Sequence, residues 1–140
     1  MRPDIAERLT RLFAATPPPG LVSAYLFGSH ADGRAHRESD VDLGVLLRWE
    51  VYRARSHRFD ERVRLSAWLA GELGVPGVDV VVLNDAPPQL GSRIVVAGRR
   101  VFCADADADH AFVRDVQLRA ADLEPFLRRT RRVKLAAIAR

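Results

Sequence analysis

The stretch FGSHADGRAHRESDVDLGVLL, Phe27 to Leu47, decides how this chain is read. It opens on Gly28-Ser29, at the end of the apolar run Leu21 to Phe27. It closes on Asp40-Val41-Asp42, at the head of a second apolar run, Val41 to Leu47. Both runs have the length and composition of strands. On a strand, residues two apart point to one face. Asp40 and Asp42 are therefore expected on a common face, with Val41, Leu43 and Val45 turned to the core on the other. Two carboxylates this close raise each other's pKa unless a cation lies between them. Mg²⁺ answers that need, since it binds through one or two carboxylates plus substrate phosphates. Upstream, glycine lets the backbone approach a ligand closely. Successive N–H groups and a serine hydroxyl can there hold phosphate oxygens. A phosphate clamp beside paired carboxylates is what metal-assisted transfer from a nucleoside triphosphate requires. Neither G-x-x-x-x-G-K-[ST] nor G-x-G-x-x-G occurs, so the clamp is neither a P-loop nor a dinucleotide turn.

Working outward, Asp4 to Ala15 reads as a helix, with Ile5, Leu9, Leu12 and Phe13 at helical spacing. The run Thr16 to Gly20 (TPPPG) stops it, because proline lacks the N–H and restricts its predecessor. Ser29 to Ser39 is polar and reads as a loop or short helix. Arg53 to Leu73 reads as a helix with Phe59, Val63, Ala67 and Ala70 along one stripe, ended by Gly74 to Gly77 (GVPG). Val78 to Leu83 is a β-branched third strand. Pro87 to Ala97 is a helix started by its proline pair, and Arg100 to Cys103 a short fourth strand. From about Asp107 the chain is helical again, along Val113, Val116, Ala120, Leu123 and Leu127, with Pro125 expected to kink or restart it. The order α-β-β-α-β-α-β-α implies an α/β (α+β) fold, a small mixed β-sheet flanked by helices. The whole of 1–140 reads as one domain, with 105–140 as its C-terminal helical segment.

Bulk properties exclude several classes. With 140 residues, 48% of them apolar and 29% charged, the chain is long enough to bury a core without staples. The net charge of +4 is small, and the basic side is almost all arginine, with Lys134 the one lysine. The pI of about 10.2 is thus a weak sign of nucleic-acid binding, and direct binding is not expected. Cys103 stands alone, so there is no disulfide framework and no cysteine metal site. It is expected as a reduced, buried thiol. The N-terminus lacks an apolar h-region, and no run approaches the ~20 residues of a membrane span. A soluble, cytoplasmic protein is expected. His30, His36, His57 and His110 show no ligand spacing, although His30 follows the clamp. Trp49, Tyr52 and Trp68 read as core or interface aromatics. The acids of Ala104 to Asp109 suit a helix start, and the basic tail from Arg128 suits a helix end.

The stretch GSHADGRAHRESDVDL resembles the signature of the minimal nucleotidyltransferase domains, relatives of the polymerase-β-type nucleotidyltransferases. Gly28-Ser29, ten residues, then Asp40-Val41-Asp42 match that signature in type and spacing, and Gly33, Ala35 and Ser39 sit where the family tends to have them. A third carboxylate on a later strand resembles Asp79 in GVDVVVLN. The resemblance covers nearly the whole chain and implies a nucleotidyltransferase fold. It implies that Gly28 and Ser29 bind the β- and γ-phosphates of ATP. It implies that Asp40, Asp42 and Asp79 hold two Mg²⁺ ions, and that Asp79 also helps deprotonate the attacking hydroxyl. Small stand-alone members commonly serve as antitoxins beside a helical HEPN ribonuclease toxin, and AMP is moved to a toxin tyrosine. The chain departs from the pattern at His30 and Asp32, where many relatives carry a basic or aromatic residue and an arginine. Asp32 adds negative charge near a triphosphate, which Arg34 or Arg37 would offset. Two alternatives stay open: an adenylyltransferase for small molecules such as aminoglycosides, and an antitoxin that binds its toxin without catalysis.

Overall fold

A computed structural model describes residues 4–33 and 40–139, without the side chains of 123, 124, 126–128 and 130–139. Its elements in chain order are α1 (Ile5–Ala15), β1 (Leu21–Phe27), α2 (Ser29–Asp32), β2 (Val41–Leu47), α3 (Arg55–Leu73), β3 (Val78–Val82), α4 (Pro88–Ala97), β4 (Arg99–Cys103) and α5 (Ala106–Ala139). The four strands form one sheet in the order β3-β2-β1-β4. β1 pairs antiparallel with both β2 and β4, whereas β2 and β3 are parallel. The mixed sheet follows from the connections. A parallel pair needs a long crossover, and α3 supplies it between β2 and β3.

Helices cover both faces. On one, Leu9 and Phe13 of α1 and Leu65, Leu69 and Leu73 of α3 pack with Leu26, Leu43, Val45 and Val80. On the other, Val22, Tyr25 and Leu46 meet Ile94 of α4 and the half-buried Phe112 and Val113 of α5. The expectation of one core-facing side for β2 is thereby corrected. Val41, Leu43 and Val45 do face a core, but Gly44 and Leu46 on the carboxylate face are buried too. Gly44 permits this, since a Cβ there would lie 2.8 Å from Ile94 Cγ2 and hold α4 off the sheet.

The stripe expected on α3 is also corrected. Phe59 and Val63 are 57% and 53% exposed, and the buried line is Arg58, Glu61, Leu65, Leu69 and Leu73. Polar residues open that line because partners await them. Arg58 donates through Nε and Nη2 to both Asp85 oxygens at 2.9 Å, and through Nη1 to the Tyr52 carbonyl at 2.8 Å. Its guanidinium also lies 4.9 Å from the ring centroid of the exposed Trp49. Trp68 packs against Phe13, with centroids 6.2 Å apart. Cys103 is half-buried rather than buried. α5 continues through Pro125, while the Leu123 and Leu127 side chains lie outside those described. No described helix is long and apolar enough to cross a membrane.

Candidate active site

β1 ends at Phe27, and the next residue turns the chain. Gly28 lies at φ 75°, ψ −153°, a region closed to residues with a Cβ. Its carbonyl accepts from the Ala31 and Asp32 N–H groups, both at 3.1 Å, and so starts α2 with Ser29 at its head. A second positive-φ glycine, Gly33 at 73°, ends α2 within one turn. A Cβ on Gly28 would collide with the Asp42 carboxylate. The expected clamp residue thus rests directly against one of the expected carboxylates.

The sheet register assembles the rest. Phe27 faces Asp42 across β1 and β2, and Asp42 is the register partner of Asp79 across β2 and β3. Partners in a parallel ladder share a face, so Asp79 joins Asp42 there. Asp40 is exposed just before β2, and its Oδ1 would stand 3.4 Å from a Cβ on Gly77. The backbone at this point is pinned by Val41 N–H donating to the Gly77 carbonyl at 3.1 Å. Gly28, Asp42 and Asp79 therefore form a row across three neighbouring strands, with Asp40 at its margin. Arg34, Ala35, His36, Arg37 and Ser39 lie outside the described residues.

Electrostatics marks Asp42 within that row. Its carboxyl is pushed above the ordinary aspartate value, first by burial, then by the charges of Asp79 and Asp40, with His30 acting the other way. Among the described residues, no group of three His, Cys, Asp or Glu is gathered closely enough to hold a metal ion as it stands. The donor chemistry nonetheless suits one. Three carboxylates, one of them held high by burial and by its neighbours, favour a hard divalent cation over their own mutual repulsion.

Two features near the site were not read from the sequence. A cleft of about 420 Å³ lined by Phe59, Arg62, Val63 and Ser66 runs up to Asp79. Its signal in the sequence is the apolar stripe of α3, of which the structure leaves Phe59 and Val63 exposed. The second is a triad around the buried Asp109 that joins β1, β4 and α5. Tyr25 Oη donates to Asp109 at 2.7 Å and Arg100 Nη1 to the same carboxylate at 3.0 Å. A larger cavity, about 630 Å³ between the end of β2, α4 and α5, touches none of Gly28, Ser29, Asp40, Asp42 or Asp79.

Comparison with known proteins bears on this geometry. The family model described as "Polymerase beta, Nucleotidyltransferase" matches residues 7–107. The protein adenylyltransferase MntA of Shewanella oneidensis is 27% identical over 108 residues, which span 71% of this chain and 67% of MntA. A chain of a toxin–antitoxin crystal structure with AMP-PNP superposes with a TM-score of 0.66 at 24% identity, covering 97% of this chain and 99% of that one. A chain from the structure of a tri-AMPylated Shewanella oneidensis HEPN toxin in complex with MNT antitoxin gives 0.62 at 20% identity, covering 97% and 100%. At those identities the superpositions speak for the fold, and the fold they share is the mixed sheet between helices described above. The match over residues 7–107 shows that the chain belongs to the polymerase beta nucleotidyltransferase family.

Proposed function

We propose that this chain transfers AMP from ATP to a hydroxyl group of a protein acceptor, and that it thereby acts as the antitoxin of a HEPN ribonuclease in the cytoplasm. One observation carries the reading: the row in which Gly28 abuts Asp42 and Asp42 is in register with Asp79. The residues read as a triphosphate clamp and as a carboxylate set are thus adjacent on one sheet. The likeness to MntA, named a protein adenylyltransferase, supports the choice of AMP and of a protein acceptor.

Asp40, Asp42 and Asp79 would hold Mg²⁺. When bound, Mg²⁺ neutralises triphosphate charge and the charge that develops during transfer. The chain's own residues do the rest. The Gly28 backbone and the Ser29 hydroxyl take the β- and γ-phosphates, and so orient the α-phosphorus toward the carboxylates. Asp79, exposed at the head of β3, accepts the proton of the incoming hydroxyl. The acceptor oxygen bonds to the α-phosphorus as the bond to the bridging oxygen breaks. Pyrophosphate leaves with that electron pair, and the proton passes from Asp79 to solvent. An added AMP brings bulk and negative charge, enough to disable an RNA-cutting site beside it.

Isotope position tests this reading. The protein is incubated with Mg²⁺ and a HEPN-family ribonuclease as candidate acceptor, with ATP labelled at the α- or the γ-phosphate. Label on the acceptor from the α position alone is the expected result. Label from the γ position would mean phosphoryl transfer. No label, with a stable complex, would favour an antitoxin that only binds.

A further inference from the structure

α3 carries a second apolar stripe that the fold leaves uncovered. Its buried line, with Leu65, Leu69 and Leu73, packs on the sheet. Phe59, Val63, Ala67 and Ala70 recur at helical spacing on another side, and the first three are exposed. Phe59 and Val63 are 57% and 53% exposed and stand four residues apart, where side chains on a helix meet. Polar residues ordinarily take the outer side of a surface helix, and a contiguous apolar patch there marks an interaction site. All four residues line the cleft of about 420 Å³ that reaches Pro76, Gly77 and Asp79. From Phe59 to Ala70 the stripe spans about three turns of helix, roughly 17 Å. The neighbouring edge of β3 offers little to an extended chain. Val78, Val80 and Val82 are 4%, 1% and 6% exposed. The Val78 carbonyl accepts from the Ser66 hydroxyl and the Val82 carbonyl from the Asp85 N–H. An occupant of the cleft therefore has to satisfy its own backbone, which an α-helix does.

We propose that this stripe docks an amphipathic helix of the acceptor protein, and that the docked helix brings the acceptor hydroxyl up to Asp79. The choice of occupant rests on the transfer reading above. The cleft and the candidate active site share Asp79, so what lies in one borders the other. Charge narrows the helix further. Arg55 and Arg58 are matched by Asp85, and Arg64 by Glu61. Arg62 lines the same cleft and has no ion pair among the described residues. The helix is therefore aliphatic where it meets Phe59 and Val63, and acidic where it meets Arg62. Its anchors recur at i, i+3, i+4 and i+7, as they do for helices laid in grooves. Ala67 and Ala70 are small, so the two helix axes come closest at the end of the stripe nearest Asp79.

Titration calorimetry of the full chain with a HEPN-family ribonuclease, without ATP or Mg²⁺, tests the docking apart from transfer. Phe59→Asp/Val63→Asp is expected to raise the Kd by about tenfold or more, with ATP binding and melting temperature those of the parent. Both side chains are exposed, so the fold is spared. Arg62→Glu is expected to raise the Kd by about tenfold, and Arg62→Lys to keep most of the affinity. An unchanged Kd in the double variant, or no complex with the parent, overturns the proposal. A second arm reads the shape of the occupant. A benzophenone attached through Ala67→Cys, in a Cys103→Ser background, is expected to cross-link ribonuclease residues three or four apart in sequence. Cross-links to residues two apart would mean an extended occupant, and cross-links to a second copy of this chain a homodimer. Either result overturns the proposal. Transfer by the parent with an unchanged KM in the double variant would leave the activity standing and sink the docking. Binding that the variants weaken, without any transfer by the parent, would do the reverse.

Discussion

Gly28 does two jobs that only glycine can do. Its φ of 75° with ψ of −153° belongs to the region where other residues cost about 1–3 kcal/mol. The space where a Cβ would stand is taken by the Asp42 carboxylate. Gly28→Ala is thus expected to lower stability by about 1–3 kcal/mol in denaturant melts and to abolish transfer, because the carboxylate must move. Asp42 carries the opposite tension. An acid whose pKa is raised on folding weakens the fold as pH climbs past the unfolded value, since the unfolded chain releases its proton first. Below the ordinary value of 3.8 both states hold the proton and the effect is gone. Without metal, Asp42→Asn is therefore expected to melt higher than the parent at pH 7, with the difference closing toward pH 3.8 and below. Added Mg²⁺ should stabilise the parent and not the variant. Melting curves at two pH values, with and without Mg²⁺, check both statements. A lower melting temperature for the variant at pH 7 without metal would show that Asp42 is not strained by burial and its neighbours. The residues themselves were legible in the sequence, as Gly-Ser and the Asp-x-Asp spacing were. Their contact was not, because it depends on the strand register that seats Phe27 opposite Asp42.

At the scale of elements, four helices and four strands are legible in the sequence with ends off by a residue or two, and α2 (Ser29–Asp32) lies in the stretch that reads as a loop or short helix. The face of α3 was not. Its buried line begins with Arg58 and Glu61, and a charged residue reads as exposed until its partner is known. The partner of Arg58, Asp85, sits 27 residues away on the loop after β3. The same holds for Asp109, only 1% exposed, which sequence reading treated as part of an acidic helix start. It accepts from Tyr25 on β1 and Arg100 on β4, and so fixes α5 to the sheet. Burial first, then the hydrogen bond to Asp109, pushes the Tyr25 hydroxyl far above its ordinary pKa of 10.0. Above pH 10 the unfolded chain gives up this proton while the folded protein keeps it, so stability falls as pH rises. Tyr25→Phe is expected to cost about 1–3 kcal/mol at pH 7, as a buried hydrogen bond is lost. It should also flatten the decline of stability between pH 9.5 and 11, when read as unfolding midpoints in urea. An equally steep decline in the variant would place the alkaline sensitivity elsewhere.

At the scale of the molecule, the strand order β3-β2-β1-β4 turns a linear signature into a site. Gly28 and Asp42 come from neighbours in both sequence and space, but Asp79 arrives only through the parallel pairing of β2 and β3 that α3 makes possible. The covered sheet supplies a rigid floor, and Asp79 is exposed at the head of β3. The central claim is that these carboxylates serve AMP transfer to a protein. Its most direct measurement is the intact mass of a HEPN-family candidate acceptor after incubation with this protein, ATP and Mg²⁺, beside the same reaction with Asp40→Asn/Asp42→Asn. The account predicts a gain of one or more AMP units with the parent and none with the folded double variant. An acceptor mass that stays unchanged with the parent, or rises equally with the variant, would contradict it.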